Sequence, residues 1–208
     1  MASTTIGYVN VDPSSGSGNA NVTATAVSDN TGRNQRSTVL TFSAANCSDV
    51  TTTVYQSGKT EYVSFDSATA TVAKTGGNVT ITGKSNSSKL TFSLGTGTDY
   101  ITLPSSYTAN SASTTNGAAI TGDPGATSEF VFSITISNIG ANTTISERTK
   151  QLIVTANGSQ TATINVTQAA GDPTLSVSPS TITLDWDAYT QSSTETITVT
   201  SNTSWTVA

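Results

Sequence analysis

The chain has 208 residues, 34% of them hydrophobic and only 10% charged, with eight Lys and Arg, thirteen Asp and Glu, one Cys and no His. Without His there is no Ser-His-Asp or Cys-His catalysis and no His-ligated zinc, and a net charge of -5 supplies no basic surface for nucleic acid. Cys47 alone forms no internal disulfide, and no apolar run approaches the roughly 20 residues of a membrane-spanning helix.

In chain order, the opening Met-Ala-Ser-Thr-Thr-Ile-Gly has neither a basic n-region nor an apolar h-region, so it does not read as a Sec signal peptide. The expectation is a protein that stays where it is made, leaves by cell lysis, or has lost a leader. Ser and Thr then make up about a third of the residues, and the helix formers Leu, Glu, Lys and Arg are scarce. Such a composition suits either disorder or strands, and periodicity decides between them. Val22–Val27, Val79–Thr82, Phe130–Ile136, Gln151–Thr155, Thr161–Val166 and Glu195–Thr200 mostly alternate apolar with hydroxyl residues. Period two puts one face in a core and the other in water. The spacing predicts an all-β protein of short strands joined by Gly, Asn and Ser turns, in the sandwich style.

The strands repeat. Arg36-Ser-Thr-Val-Leu-Thr-Phe leads to Gln56-Ser-Gly58, and Arg148-Thr-Lys-Gln-Leu-Ile-Val leads to Gln168-Ala-Ala-Gly171, with an offset of 148 − 36 = 112. The segment from Val63 to Val72 aligns with Leu175 to Leu184 at the same offset. Residues 1–59 match only the closing half of a unit, with Tyr8-Val-Asn-Val-Asp-Pro parallel to Tyr100-Ile-Thr-Leu-Pro. Residues 60–172 hold both halves, with an insertion at 108–128. Residues 173–208 match only the opening half, and Trp205 falls where Leu90 stands in the complete copy. The expected organisation is therefore one complete module flanked by two half-modules. The halves could be completed within the chain or by another chain, or the chain could be a fragment. The low-charge 108–128 insertion is expected to be a surface loop, or an interface element if it forms a hairpin arm.

These motifs carry a resemblance. Asp12-Pro-Ser-Ser-Gly16, the Asn30-Thr-Gly-Arg-Asn-Gln-Arg36 turn, the strand pair closing at Gln56, and Leu175-x-Val-x-Pro179 through Trp205 resemble the BACON-type immunoglobulin-like domain. The complete copy departs from that pattern at Leu90 and at its insertion. The resemblance implies tandem Ig-like sandwich modules of a kind found in surface proteins of Bacteroidetes and in virion proteins of their phages, with glycan binding as a proposed role.

Several residues are candidates for chemistry. Trp186 and Tyr189, flanked by Asp185 and Asp187, combine aromatic faces with carboxylates and could grip a sugar; the plainer reading is a loop packing its own aromatics. Trp205 reads first as a core residue. Asp66, Asp99 and Asp123 could join Asp185 and Asp187 as oxygen ligands for calcium, but no Asp-x-Asp-x-Asp-Gly loop exists. The glycines at 16, 18, 76 and 77 precede no helix and carry no P-loop Lys, so they read as turns. Arg36 and Arg148, at equivalent places, could bind a partner, but are expected to cap hairpins by bonding loop carbonyls or pairing with a nearby acid; Gln56 and Gln168 are the matching repeat positions that close each strand pair. The expected function is that of a non-enzymatic structural protein without cofactor or metal. It would be a phage virion component of head-decoration or fibre type, made in the host cytoplasm and bound to other protein subunits. The alternatives are a carbohydrate-binding or adhesin module of a bacterial surface protein, or a subunit of an extracellular filament.

Overall fold

Each segment with a period-two pattern lies in or overlaps a strand, because Thr, Val and Ile can present a hydroxyl face to water and a methyl face to a core without straining a pleated backbone. In the computed structural model, which describes residues 2–184 and 195–208, the described residues form sixteen strands and no helix. They are β1 (Thr4–Ile6), β2 (Val9–Asp12), β3 (Thr23–Ala26), β4 (Arg36–Phe42), β5 (Val50–Gln56), β6 (Val63–Phe65), β7 (Thr69–Val72) and β8 (Gly77–Ser85). They continue with β9 (Leu90–Gly97), β10 (Ser106–Ala109), β11 (Ala112–Thr115), β12 (Phe130–Ile139), β13 (Arg148–Ala156), β14 (Thr161–Gln168), β15 (Leu175–Ser178) and β16 (Thr198–Ser201).

The middle of the chain is a sandwich of two sheets. One runs β11-β10-β12-β8-β6 and the other β7-β14-β13-β9. Pairing is antiparallel except between β7 and β14, where Asn165 to Gln168 run parallel to Thr69 to Val72. Inward residues of both sheets make one core, with Phe132, Leu90, Ile134, Ile136, Leu152 and Ile164 essentially inaccessible. Phe132 meets Phe92 and Phe65 edge to face, with centroids 5.7 and 5.8 Å apart. Removing so large a buried ring costs about 3–5 kcal/mol in comparable cores.

The insertion is part of this sandwich. Residues 106–115 form a hairpin whose two-residue loop, Asn110 and Ser111, has φ of 47° and 64°. Positive φ at both positions is the type I′ geometry that matches strand twist. Asn110 tolerates it, and its side-chain amide donates to Gly122 O at 2.7 Å. Ala109, Ile120 and Ala126 are buried, which ties the remainder of the insertion down.

Before and after this sandwich the strands are less covered. β1-β2-β3 form one small sheet, and β4-β5 pair only with each other among the described residues. Their core is Tyr8, Val9, Val11 and Leu40, with Val54 against it. β15 and β16 form a two-stranded ribbon from Leu175↔Ser201 to Ser178↔Thr198. Glu195–Ile197, expected in that last strand, lie outside it; a ribbon with one partner runs only as long as its shorter strand.

Candidate functional site

The repeated Arg and Gln build the same clamp twice. Arg36 Nε donates to Gln56 Oε1 at 2.7 Å, and Arg148 Nε to Gln168 Oε1 at 2.7 Å. Each arginine's Nη2 donates to a loop carbonyl, Ser28 O at 2.7 Å and Gly140 O at 3.1 Å. Each glutamine's Nε2 donates to that same carbonyl, at 3.0 and 2.9 Å. The guanidinium carbons stand 4.2 Å above the Tyr8 ring and 4.6 Å above the Tyr100 ring. Tyr8 Oη donates to Val54 O at 2.7 Å, and Tyr100 Oη to Val166 O at 2.7 Å. Burial pushes the Tyr100 hydroxyl above its ordinary pKa, against the pull of Arg148. The clamps differ at their edges: Arg36 Nη2 also donates to Ser28 Oγ at 2.9 Å, whereas the fully buried Gln168 also donates through Nε2 to Ala73 O, just past β7 in the same sheet, at 3.0 Å.

Beside each clamp is an Asn-led turn and a linker. Asn30 accepts from Gly32 N and donates to Asn34 O; Asn142 accepts from Thr144 N and donates to Ser146 O. The linker then bonds the turn, Lys59 N to Gly32 O at 2.8 Å and Gly171 N to Thr144 O at 2.7 Å. A second asparagine closes each joint from beyond the linker. Asn86 accepts from Tyr62 N at 2.8 Å and donates to Thr60 O, while Asn202 accepts from Thr174 N at 2.8 Å and donates to Asp172 O. Ser85 and Ser201 hydroxyls donate to the carbonyls of those same residues, Tyr62 and Thr174. The turn and linker contacts thus recur at an offset of 171 − 59 = 112 and the closing Ser-Asn contacts at 202 − 86 = 116.

The first joint carries a charged cluster that the second lacks. Arg33 binds Asp123 in bidentate fashion, Nη1 to Oδ2 at 2.7 Å and Nη2 to Oδ1 at 2.8 Å, and Nη2 also donates to Asn86 O. Its Nε lies 2.6 Å from Glu61 Oε1, but the N–H makes no aligned hydrogen bond, so this contact is an ion pair. Glu61 is buried and its carboxylate is satisfied instead by Ser87 Oγ at 3.0 Å, Ser88 Oγ at 2.9 Å and Ser88 N at 3.1 Å. Partial burial opposes ionisation of Asp123, yet the Arg33 bonds and the Gly125 N–H outweigh it and hold the carboxyl below its ordinary value. Nearby, Tyr62 donates to the Glu129 carboxylate and its pKa is pushed up to about 12, first by that bond and then by burial. The same hydroxyl, with Lys84, pulls Glu129 down.

At the second joint the position 112 residues after Arg33 is Ile145, which is exposed, and the one after Glu61 is Pro173. An exposed pair, Lys74 Nζ to Asp172 Oδ2 at 2.6 Å, stands there instead. A groove lies between Lys74, Thr143, Asp172 and Asn202. Asn202 Nδ2 crosses it to Thr143 O at 2.9 Å.

Of the residues singled out from sequence, Arg36, Gln56, Arg148 and Gln168 come together as the two clamps. Trp186, Tyr189, Asp185 and Asp187 lie outside the described residues. Trp205, expected in a core, is 49% exposed against the described residues. The scattered acids sit apart on protein partners: Asp66 accepts from Thr82 Oγ1, Asp99 pairs Lys150 at 2.6 Å, and Asp123 holds Arg33. Among the described residues no three His, Cys, Asp or Glu side chains gather as a metal site, and no helix is long and apolar enough to cross a membrane. Sequence reasoning passed over Arg33, Glu61 and Asn86; the recurrence of Ser-Asn at 85–86 and 201–202 was the available signal. No family model matches the chain, and no curated protein matches it.

Proposed function

We propose that this is a non-enzymatic structural protein, a series of BACON-like, Ig-like sandwich modules serving as a phage virion component of head-decoration or fibre type. The observation that carries the reading is the recurrence of one joint. The Asn30 and Asn142 turns, the Lys59 and Gly171 linker bonds, and the Asn86 and Asn202 closures set successive units in the same relation. Side chains that could do chemistry are committed to holding the joint: Glu61 is buried among serine hydroxyls and Asp123 is neutralised by Arg33. A spacer that must present one end at a set distance from the other needs such joints.

Immunogold labelling of particles released from the producing cells tests the placement. Gold at regular positions on the particle surface is the expected result. Gold confined to the cell envelope overturns it in favour of an adhesin. Glycan arrays probed with the chain and with Trp186→Ala then read out sugar binding directly.

A further inference from the structure

The two end regions expose faces that the central sandwich covers in itself, and the repeat identifies what covers them. At residues 112 apart, Val154 is 0% exposed but Phe42 is 44%, and Ile134 is 1% but Val22 is 41%. On the other side, the pairings Val63↔Ser85 and Leu175↔Ser201 align β8 with β16, so Ile81, 3% exposed, corresponds to Ile197, 48% exposed. In the central sandwich these surfaces meet. β12 lies on β8 with Ile134 opposite Ile81, β14 lies on β7 with Asn165 opposite Thr69, and β13 lies on β9. Among the described residues β3, β4 and β5 have no such neighbour, and neither has the β15–β16 ribbon.

We infer that the partner is a second copy of this chain. The strands of residues 174–184 and 195–208 of one copy dock on β3, β4 and β5 of the next and complete a sandwich whose register the central one already displays. Val22 pairs with Ile197 of the neighbour, and Thr53 with its Thr181. Main-chain ladders supply the attachment and the alternating apolar side chains supply the core. A copy cannot readily close on itself. The first joint sits at the Ser85–Phe130 end of the β8–β12 pair and the second at its Gly77–Ile139 end, nine β8 residues away, which is about 30 Å of strand. The linkers at both joints are bonded down. Because the contact joins two different surfaces, it propagates head to tail rather than closing as a two-fold pair. The inference rests on the chain being a series of sandwich modules, and not on its place in a virion.

The test uses the full chain with Cys47→Ser. One protein carries Val22→Cys and the other Ile197→Cys, and they are mixed under mild oxidation. A second mixture uses Thr53→Cys and Thr181→Cys, whose side chains are exposed, so folding is undisturbed. Covalent dimer in the mixtures, and none when either protein is combined with Val131→Cys on the outer face of the central sandwich, is the expected result. Sedimentation of the unsubstituted chain from about 1 to 100 µM is expected to show species growing in steps of one chain, with Val22→Asp weakening association at least tenfold. A strict monomer throughout, or cross-linking of Val22→Cys with itself, overturns the inference. Since neither readout involves particles, failure here leaves the labelling experiment standing, and the reverse holds too.

Discussion

The two joints share a skeleton and differ in what is bolted to it. In both, an Asn-led turn takes a backbone N–H from the linker and a second asparagine pins the linker's far end. Only the first adds the Arg33, Glu61 and Asp123 cluster, with Asp123 supplied by the insertion; at the second, Ile145 and Pro173 stand where Arg33 and Glu61 do. The skeleton draws only on the repeated segments, with no bond spanning more than 30 residues, so repeating the sequence repeats the geometry. The cluster draws on four distant segments and converts a hydrogen-bonded hinge into a charged, partly dehydrated lock. Direction between units is therefore set by backbone bonds, and stiffness by side chains.

That contrast can be broken most severely at Glu61. Glu61→Ala leaves the Arg33 charge without its buried partner and strands two serine hydroxyls, for an expected loss of about 3 kcal/mol in denaturant titration. Asn86→Ala removes three bonds from a buried side chain, an expected cost of about 2 kcal/mol. Asn202→Ala, at the more exposed second joint, should cost about 1 kcal/mol or less; equal losses would erase the distinction between the joints. Asp123→Asn should cost about 1 kcal/mol and should loosen the first joint alone, seen as faster amide exchange around residues 119–126. The pH dependence follows in sign. Asp123 titrates lower in the folded chain than its ordinary 3.8, so its contribution is complete above that value and fades as pH falls through the lowered one. Asp123→Asn should remove that acid-sensitive step in hydrogen exchange. Smallest of all, Lys74→Ala breaks an exposed pair and should move stability by less than about 0.5 kcal/mol.

Much of the architecture was legible because it is written in short-range pattern. Period two gave the strands, and the identical spacing of Arg36 with Gln56 and of Arg148 with Gln168 pointed to one unit used twice. The role expected of those arginines, bonding loop carbonyls, corresponds to the contacts at Ser28 O and Gly140 O. The lock at the first joint was not legible. Arg33 and Asp123 are 90 residues apart, and nothing in either local sequence names the other. Asp123 looked like one of several scattered acids, and nothing singled out Glu61, because burial is decided by the fold around a residue rather than by its neighbours in sequence. The insertion, expected as a surface loop or a hairpin arm at an interface, contributes to a hairpin, buries Ile120 and supplies the Ala126 carbonyl to Asn86. Its sparse apolar residues gave little periodic signal, since a single Ile and two Ala suffice to seat it.

The placement of the joints at opposite ends of β8 and β12 has a mechanical consequence. Tension applied through the neighbouring units enters at one end of this strand pair and leaves at the other, along the strand axis. Because the first linker leads into β6 and β7 and the second leads out of β14, the load falls on the parallel β7–β14 ladder in shear, so its bonds must fail together rather than unzip one after another. Such a body resists stretching far better than it resists peeling.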